Sequence, residues 1–482
     1  MLILIKTLGC KANRYESDSL CELLLGLGHE VKREIPAHQS WSRTSFAGMT
    51  LLRRAGNAPD VLIVNTCTVT QVADRKSRQV IYGLKRLYPE CKVIVFGCGS
   101  NVDPEEYKKL EGVDYVAKNA EEILEIINGL DSRFSTWRPD RRGNDPPAAG
   151  KQERGNDRRC KYDKRDCHIK RTRALLKIQD GCNNYCAYCI VPRARGAEVS
   201  YPSKKILKEA LAYEKDGYKE IVLTGINTDR WEEGKLDISD LIKLLIKNTK
   251  SVRFRISSIE PKNFPKKFYE LFKTGRLCPH AHMSLQSGSD SVLKRMRRNY
   301  STGEFLKICR EFKKAVPDVG LTTDVIVGFP GETEKEFNET CEFVQKIGFL
   351  KIHVFPYSKR KNTAAYYMKN QIPENVKKMR AYKLRKIADE MALKFKKSLL
   401  GKTYEILVEN PRGKFYKGFT PNYTPVQFLY TGKRAIVREF VKVRLEKIKG
   451  DGTVIGIKIP TSPPGGRTGA GMTSRLKSPA SS

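Results

Sequence analysis

Short apolar runs alternate with amphipathic stretches along most of the chain. Over residues 1–130 the runs Leu2–Lys6, Asp60–Asn65, Cys91–Phe96 and Val113–Val116 have strand length. Between them, Tyr15–Leu27, Val69–Leu87 and Glu121–Ile127 carry apolar residues at helical spacing. Asn13 with Glu16, and Asn119 with Glu122, have capping-box spacing and predict helix starts. A strand–helix alternation of this kind predicts a parallel sheet with helices on both faces. Residues 37–58 interrupt the beat and read as an inserted loop. Residues 131–170 are rich in Arg, Asp, Gly and Pro with little to bury, the pattern of a flexible basic linker. Cys160 and Cys167 lie within it and are weak site candidates.

Beyond Arg171 the alternation resumes. Candidate strands are Ala174–Gln179, Glu220–Thr224, Arg253–Ser257, His282–Leu285, Thr322–Val327 and Lys351–Pro356, most of them separated by helix-length segments. Such repeated strand–helix units predict a complete or partial (β/α) barrel over 171–373, with working residues at the C-terminal strand ends. Residues 374–400 read as one long basic helix. The segment 401–460 turns β-rich and fits a small barrel of OB-like size. The tail, 461–482, is Pro-, Gly- and Ser-rich and reads as disordered. The expected class is therefore α/β: an N-terminal parallel-sheet domain, a central (β/α) barrel and a small C-terminal β-barrel.

Charge and cysteine content narrow the function. The 482-residue chain carries 90 Lys+Arg against 54 Asp+Glu, a net charge of +36. A field of that sign recruits polyanions, so nucleic acid is a better expectation than a basic surface serving solubility alone. No apolar run reaches bilayer length, and the apolar N-terminus is too short for a signal sequence, so the expected address is cytoplasmic, with no membrane partner. In a reducing compartment, 13 cysteines point to metal ligation or catalysis before disulfides.

Cys182, Cys186 and Cys189 form a C-x3-C-x2-C triplet directly after the first barrel strand, with Tyr188 inside it. Three thiolates without a fourth nearby suit a [4Fe–4S] cluster with one iron left open. Structural zinc is the main competitor and prefers four ligands. Other strand ends carry polar or glycine-rich segments: Leu223–Asn227, Ser257–Pro261, Leu285–Ser289 and Asp324–Thr333. His280 and His282 share a strand face, but no carboxylate or further histidine lies nearby in sequence. They are expected to line the lumen, zinc being the minor alternative.

The triplet resembles that of the radical S-adenosylmethionine (SAM) superfamily. The resemblance implies SAM chelated at the open iron and cleaved by one electron to a 5′-deoxyadenosyl radical. The SAM-site candidates are Tyr188, Thr224, Gly225, Asn227, Glu260, Gln286 and Ser287. Arg195, beside the triplet, is a candidate for SAM or substrate.

Cys10, Cys67 and Cys98 are far apart in sequence, yet each closely follows an apolar run. Strand ends converge on one edge of an open parallel sheet, so three thiolates at this repeated position are expected to meet around a second cluster. Burial in the core is the alternative, and is preferred for Cys21 and Cys91. Over nearly the whole chain the sequence resembles the methylthiotransferases, most of all the type acting on N6-threonylcarbamoyladenosine in tRNA. Thr7-Leu-Gly-Cys-Lys-Ala-Asn13 resembles their opening motif, with Ala12 where Val is more usual. Lys177–Cys182, Val222–Asn227, Leu277–His280 and His353–Ser358 resemble this subgroup too. Arg193 departs from it, standing where an aromatic residue is common. The resemblance implies two [4Fe–4S] clusters, one delivering sulfur, and a TRAM-like C-terminal domain that grips tRNA near the anticodon. It further implies sulfur insertion and methylation at C2 of the modified adenine, and an electron donor such as flavodoxin or ferredoxin. Rival expectations are a methylthiotransferase acting on isopentenylated adenosine or on a ribosomal-protein aspartate, and a non-catalytic iron–sulfur nucleic-acid binder.

Overall fold

Three strands of nearly unbroken apolar residues define the N-terminal sheet: β1 (Leu2–Thr7), β3 (Val61–Thr66) and β4 (Lys92–Gly97). Runs of this kind belong in a parallel sheet covered on both faces. The computed structural model, which describes residues 1–33, 58–131, 171–261, 264–432 and 434–459, forms that sheet. All its pairings are parallel, in the order β2-β1-β3-β4-β5, with β2 (Glu30–Arg33) and β5 (Tyr115–Val116) at the edges. Helices α1 (Lys11–Gly26) and α4 (Ala120–Leu130) pack Leu20, Leu24, Ile123 and Ile127 on one face, and α2 (Gln71–Leu87) packs Val80, Ile81 and Leu84 on the other. A short helix, α3 (Cys98–Val102), follows β4. The expected helix start at Asn119 holds, its side chain accepting from Glu122 N–H at 2.9 Å. The expected start at Asn13 does not. Cys10 is the N-cap of α1, and Asn13 is fully buried. The 37–57, 132–170 and 460–482 segments, with Cys160 and Cys167, lie outside the described residues.

The central barrel consists of two parallel three-stranded sheets. One runs β8-β7-β6, with β6 Ala174–Lys177, β7 Glu220–Thr224 and β8 Arg253–Ile256; the other runs β9-β10-β11, with β9 His280–His282, β10 Gly320–Val327 and β11 Lys351–Pro356. Isolated parallel bridges, Phe254–Leu277 and Ile259–Met283, join the halves. Among the described residues nothing pairs β6 with β11, so the barrel is partial. Side chains such as Leu176, Ile221, Phe254 and Val325 point outward into one large apolar core under the surrounding helices. The alternate positions therefore face the lumen. The fourth expected strand, His282–Leu285, is displaced towards the N-terminus and spans His280–His282. The long basic helix α9 (Glu374–Lys397) packs along β11.

The C-terminal strands β12 (Thr403–Arg412), β13 (Phe415–Phe419), β14 (Pro425–Leu429), β15 (Phe440–Ile448) and β16 (Val454–Lys458) close into a barrel, in the order β12-β13-β14-β16-β15. It sits against the strand starts of the central barrel. Fully buried Glu220 accepts from Arg173 Nε, Arg253 Nε and Arg255 Nε, each at 2.7 Å. Those arginines continue onto Glu409, the Glu405 carbonyl and the Pro421 carbonyl of the small barrel. Tyr423 closes the end of the lumen, its ring 4.6 Å from the Arg255 guanidinium. Among the described residues no helix is long and apolar enough to cross a membrane.

Candidate active site

The order of the N-terminal sheet sets β1, β3 and β4 side by side, so the residues that follow them share one carboxyl edge. Cys10, Cys67 and Cys98 are brought together there. The Cys10 and Cys98 thiols both donate to Asn13 Oδ1, at 3.4 and 3.7 Å. Gly9, at φ +105°, lies so close to Cys67 that a Cβ there would sit 3.0 Å from its sulfur. Gly97 allows the same close approach on the other side, where a Cβ would overlap Asn65 Oδ1 at 2.3 Å. Asn13 is the hub. Its amide donates to the Leu8 carbonyl, Asn65 Oδ1 and the Thr66 carbonyl, fixing the oxygen that both thiols address. Burial raises the Cys98 thiol to about 12, against the pull of the Arg195 guanidinium. A buried thiolate is costly until a cation neutralises it, which is the service a metal centre performs.

The second triplet lies across from the first. Cys182, Cys186 and Cys189 occupy the loop beyond β6, all three as free thiols. Each sulfur accepts one hydrogen bond: from Asn227 Nδ2 at 3.3 Å, from Arg298 Nη1 at 3.1 Å and from Val191 N–H at 3.5 Å. Donors aimed at sulfur suit thiolates that carry a net negative cluster. Burial raises the Cys189 thiol to about 12. Asn227 is held in turn, since its N–H and that of Ile226 donate to Gln179 Oε1 at 2.9 and 3.0 Å. Gly225 permits this, because a Cβ there would lie 2.9 Å from the Gln179 carbonyl oxygen. Glu260 accepts from Asn184 Nδ2 at 2.5 Å and Arg298 Nη2 at 3.3 Å, and these residues line a cavity with Cys186 and Tyr300.

Other expected residues take different places. Ser287 is fully buried and paired with Thr340 Oγ1 on helix α8 (Glu334–Ile347), away from the thiols. Thr224 is enclosed in its strand. Gln286, beyond the end of β9, bridges to β10 through its backbone, its N–H donating to the Asp324 carbonyl. Tyr188 packs against the cluster of Ala187, Met296 and Phe329. Arg195 does not face the Cys182 cavity. Its guanidinium donates to Glu16 Oε1 at 2.7 Å, Asp180 Oδ1 at 3.0 Å and Asn13 Oδ1 at 2.7 Å. It therefore ties the barrel loop to the other cysteine triplet. Burial opposes its charge, but Cys98, Glu16 and Asp180 outweigh that and keep it protonated.

Sequence reasoning missed Asn13, Arg298 and the surroundings of His282. Contrary to the expectation that no carboxylate or histidine is near, His282 Nε2 lies 3.3 Å from Asp324 Oδ2, and the His353 ring is 5.9 Å away. The other ring nitrogen of His282 meets Thr322 Oγ1 at 3.0 Å. These partners come from β10 and β11, 40 or more residues downstream, and only barrel closure reveals them.

Comparison with known proteins agrees with this geometry. A family model described as the radical SAM superfamily matches residues 176–344, and one described as uncharacterized protein family UPF0004 matches 37–118, which takes in the whole segment read as an insertion. The threonylcarbamoyladenosine tRNA methylthiotransferase MtaB of Chlamydia pneumoniae is 34% identical, over 93% of this chain and 96% of that protein. The protein of the same name from Bacillus subtilis strain 168 is 36% identical, over 92% of this chain and 93% of its own length. The chain belongs to the radical SAM methylthiotransferase family. It is therefore an enzyme that uses SAM and a [4Fe–4S] cluster. The radical SAM methyltransferase TsrM from Kitasatospora setae shares the fold, with a TM-score of 0.55 over 91% of this chain and 82% of that one, at 14% identity.

Proposed function

We propose that this methylthiotransferase converts N6-threonylcarbamoyladenosine beside the anticodon of tRNA into its 2-methylthio form. The observation that carries the reading is the pairing of two thiol triplets through Arg195. That residue leaves the loop of Cys182, Cys186 and Cys189 and donates to the same Asn13 oxygen as Cys10 and Cys98. In this assignment Cys182, Cys186 and Cys189 would hold the cluster that binds SAM, and Cys10, Cys67 and Cys98 a second [4Fe–4S] cluster. The bound groups supply one-electron cleavage of SAM, the methyl group and the sulfur.

The chain's own residues hold and orient. Asn227 and Arg298 donate to the sulfurs of Cys182 and Cys186, and Glu260, fixed by Asn184 and Arg298, would offer a carboxylate to bound SAM. Gln179 holds the loop of Gly225 and Asn227 against the strand end. The closed C-terminal barrel and helix α9 offer basic surface for tRNA phosphates, in keeping with the net charge of +36. A reductant of the flavodoxin or ferredoxin type would supply the electron, in the cytoplasm. The substrate assignment follows the names of the MtaB relatives, which match along nearly their full lengths. Mass spectrometry of tRNA nucleosides from a strain lacking the protein tests it. The 2-methylthio nucleoside should vanish and its threonylcarbamoyl precursor accumulate; an unchanged profile would refute the assignment.

A further inference from the structure

The central barrel carries a cluster of metal-binding side chains that contains no thiol. Ala281, Val325 and Val354 point into the apolar core outside the barrel. Their neighbours in sequence, His282, Asp324 and His353, therefore project into the lumen. Strand pairing brings these three to one place. Asp324 stands directly opposite His353 between β10 and β11, and His282 stands opposite Thr322, two residues before Asp324 on the same face. His282 Nε2 lies 3.3 Å from Asp324 Oδ2. One ligand atom from each of the three side chains lies within 4.8 Å of the other two. Thr322 Oγ1 meets the other ring nitrogen of His282, Nδ1, at 3.0 Å. Among the described residues the His353 ring contacts the rings of His282 and Phe355 but makes no hydrogen bond. His280 takes no part, since it packs on Tyr423 at the closed end, with ring centroids 4.9 Å apart.

A histidine bonded to a carboxylate is a common structural pair, and the His282–Asp324 contact alone would call for nothing more. The spacing, the second histidine and the hold on the first go further. Two ligands about 2.1 Å from one zinc ion in tetrahedral geometry stand about 3.4 Å apart, close to the His282–Asp324 separation. Thr322 engages Nδ1, which fixes the ring and leaves Nε2 for an ion, as partners of ligating histidines ordinarily do. His353 supplies a third donor, and rotation of its side chain closes the remaining gap. Two imidazoles and one carboxylate suit a single divalent transition ion, whereas iron–sulfur clusters are held by thiolates. We propose that His282, Asp324 and His353 bind one divalent transition-metal ion, such as zinc, in the barrel lumen. Three protein ligands leave a coordination position open, the mark of a site that takes water or an oxygen of a bound molecule. This inference does not rest on the substrate assignment, because it uses none of the six thiols and no feature of tRNA.

The test uses full-length protein reconstituted with iron and sulfide, and Zn²⁺ as the probe. Zinc and iron are counted by elemental analysis after anaerobic gel filtration, and the zinc environment is read by X-ray absorption at the zinc edge. Wild-type protein should hold about one zinc per chain beyond its iron, with nitrogen and oxygen at about 2.0–2.2 Å and no sulfur at about 2.3 Å. Thr322→Val should weaken zinc binding about 10- to 100-fold, the range for a residue that orients a ligand, and Thr322→Ser should keep it. Asp324→Asn and His353→Gln remove ligands and should weaken it by at least as much, with iron content at the wild-type level. Zinc should raise the Tm of wild-type protein and leave that of Asp324→Asn unmoved, because an ion that binds only the folded state stabilises it. If one ligand variant fails to fold, the other and the wild-type absorption spectrum still decide. Wild-type protein that holds no zinc overturns the proposal. Sulfur in the zinc shell overturns it as well, by placing the ion on thiols. So does zinc affinity that survives in both ligand variants.

Discussion

The two ends of the central barrel carry comparable polar content and put it to opposite uses. At the strand starts, Glu220 collects three guanidinium groups, and each of them continues to a group on the C-terminal barrel. Each guanidinium there is already paired within the protein. Beyond the strand ends, Cys182, Cys186 and Cys189 each accept a single hydrogen bond, and Arg195 ties their loop to Asn13, beside the three thiols of the N-terminal sheet. A closed network specifies how two domains dock; an open one is what chemistry requires. Barrel folds commonly separate stability and catalysis in this way.

The largest effect expected on this contrast comes from the thiols themselves. Replacing Cys182, Cys186 and Cys189 with Ala should abolish SAM cleavage and methylthiolation while the remaining cysteines still take up iron. Replacing Cys10, Cys67 and Cys98 should leave about half the iron, as for one of two clusters. That variant should still form 5′-deoxyadenosine but should attach no sulfur to tRNA. If those three were merely core residues, the protein would be destabilised yet hold normal iron per folded molecule. Iron content, SAM cleavage and nucleoside product on both triple variants separate the two outcomes.

At the closed end the expected effect is on stability, not chemistry. Glu220→Gln leaves three buried guanidinium groups without their shared carboxylate, a loss of about 3–5 kcal/mol when one partner of a buried ion network is removed. Thermal unfolding should shift down by several degrees, with SAM cleavage by the folded fraction intact. The arginines hold the Glu220 carboxyl well below its ordinary range despite burial. Its folded value is depressed, so its stabilisation is present at neutral pH and is lost only as pH falls below the ordinary carboxylate range. Wild-type protein should therefore lose stability in acid more steeply than the variant. Equal acid sensitivity in a melting series would show that Glu220 is not the anchor.

Much of this contrast was legible in the sequence, for reasons specific to each part. Strand β7 lies where its apolar run predicts, since a buried parallel strand advertises itself by continuous hydrophobicity, and β11 lies where predicted with Ile352 and Val354 buried between more exposed neighbours. The thiol triplets could be read because cysteine after a strand is an uncommon pattern, repeated three times in the N-terminal domain. Strand β2 was not legible: Glu30–Arg33 offers one buried residue, Val31, on an otherwise polar edge. Asn13 was misread because capping-box spacing is local, whereas its partners, Asn65 and Thr66, lie more than 50 residues away. Arg195, a candidate for SAM or substrate, donates to Asn13 and Glu16, acceptors in a different domain that no local pattern reveals. His282 shows the limit most clearly. Its partner Asp324 is fixed only by the pairing of β9 with β10.

The smallest expected effect concerns the surface outside both ends. Lys378, Lys394 and Lys397 are exposed along helix α9. If they contact tRNA phosphates, each releases about one counterion on binding, and the slope of log affinity against log salt falls by roughly 0.7–0.9 per contact removed. Replacing all three with Gln should flatten that slope by about 2 to 3 and weaken binding at low salt, with little change at high salt. The thermal midpoint should hardly move, because exposed lysines contribute little to folding. Methylthiolation at saturating tRNA should also persist, since none of the three approaches a thiol or the lumen. A variant whose salt slope matches wild type would move the grip away from α9, to the C-terminal barrel or to the N-terminal domain. A variant that lost activity even at saturation would show that the helix positions the target base as well as holding the backbone.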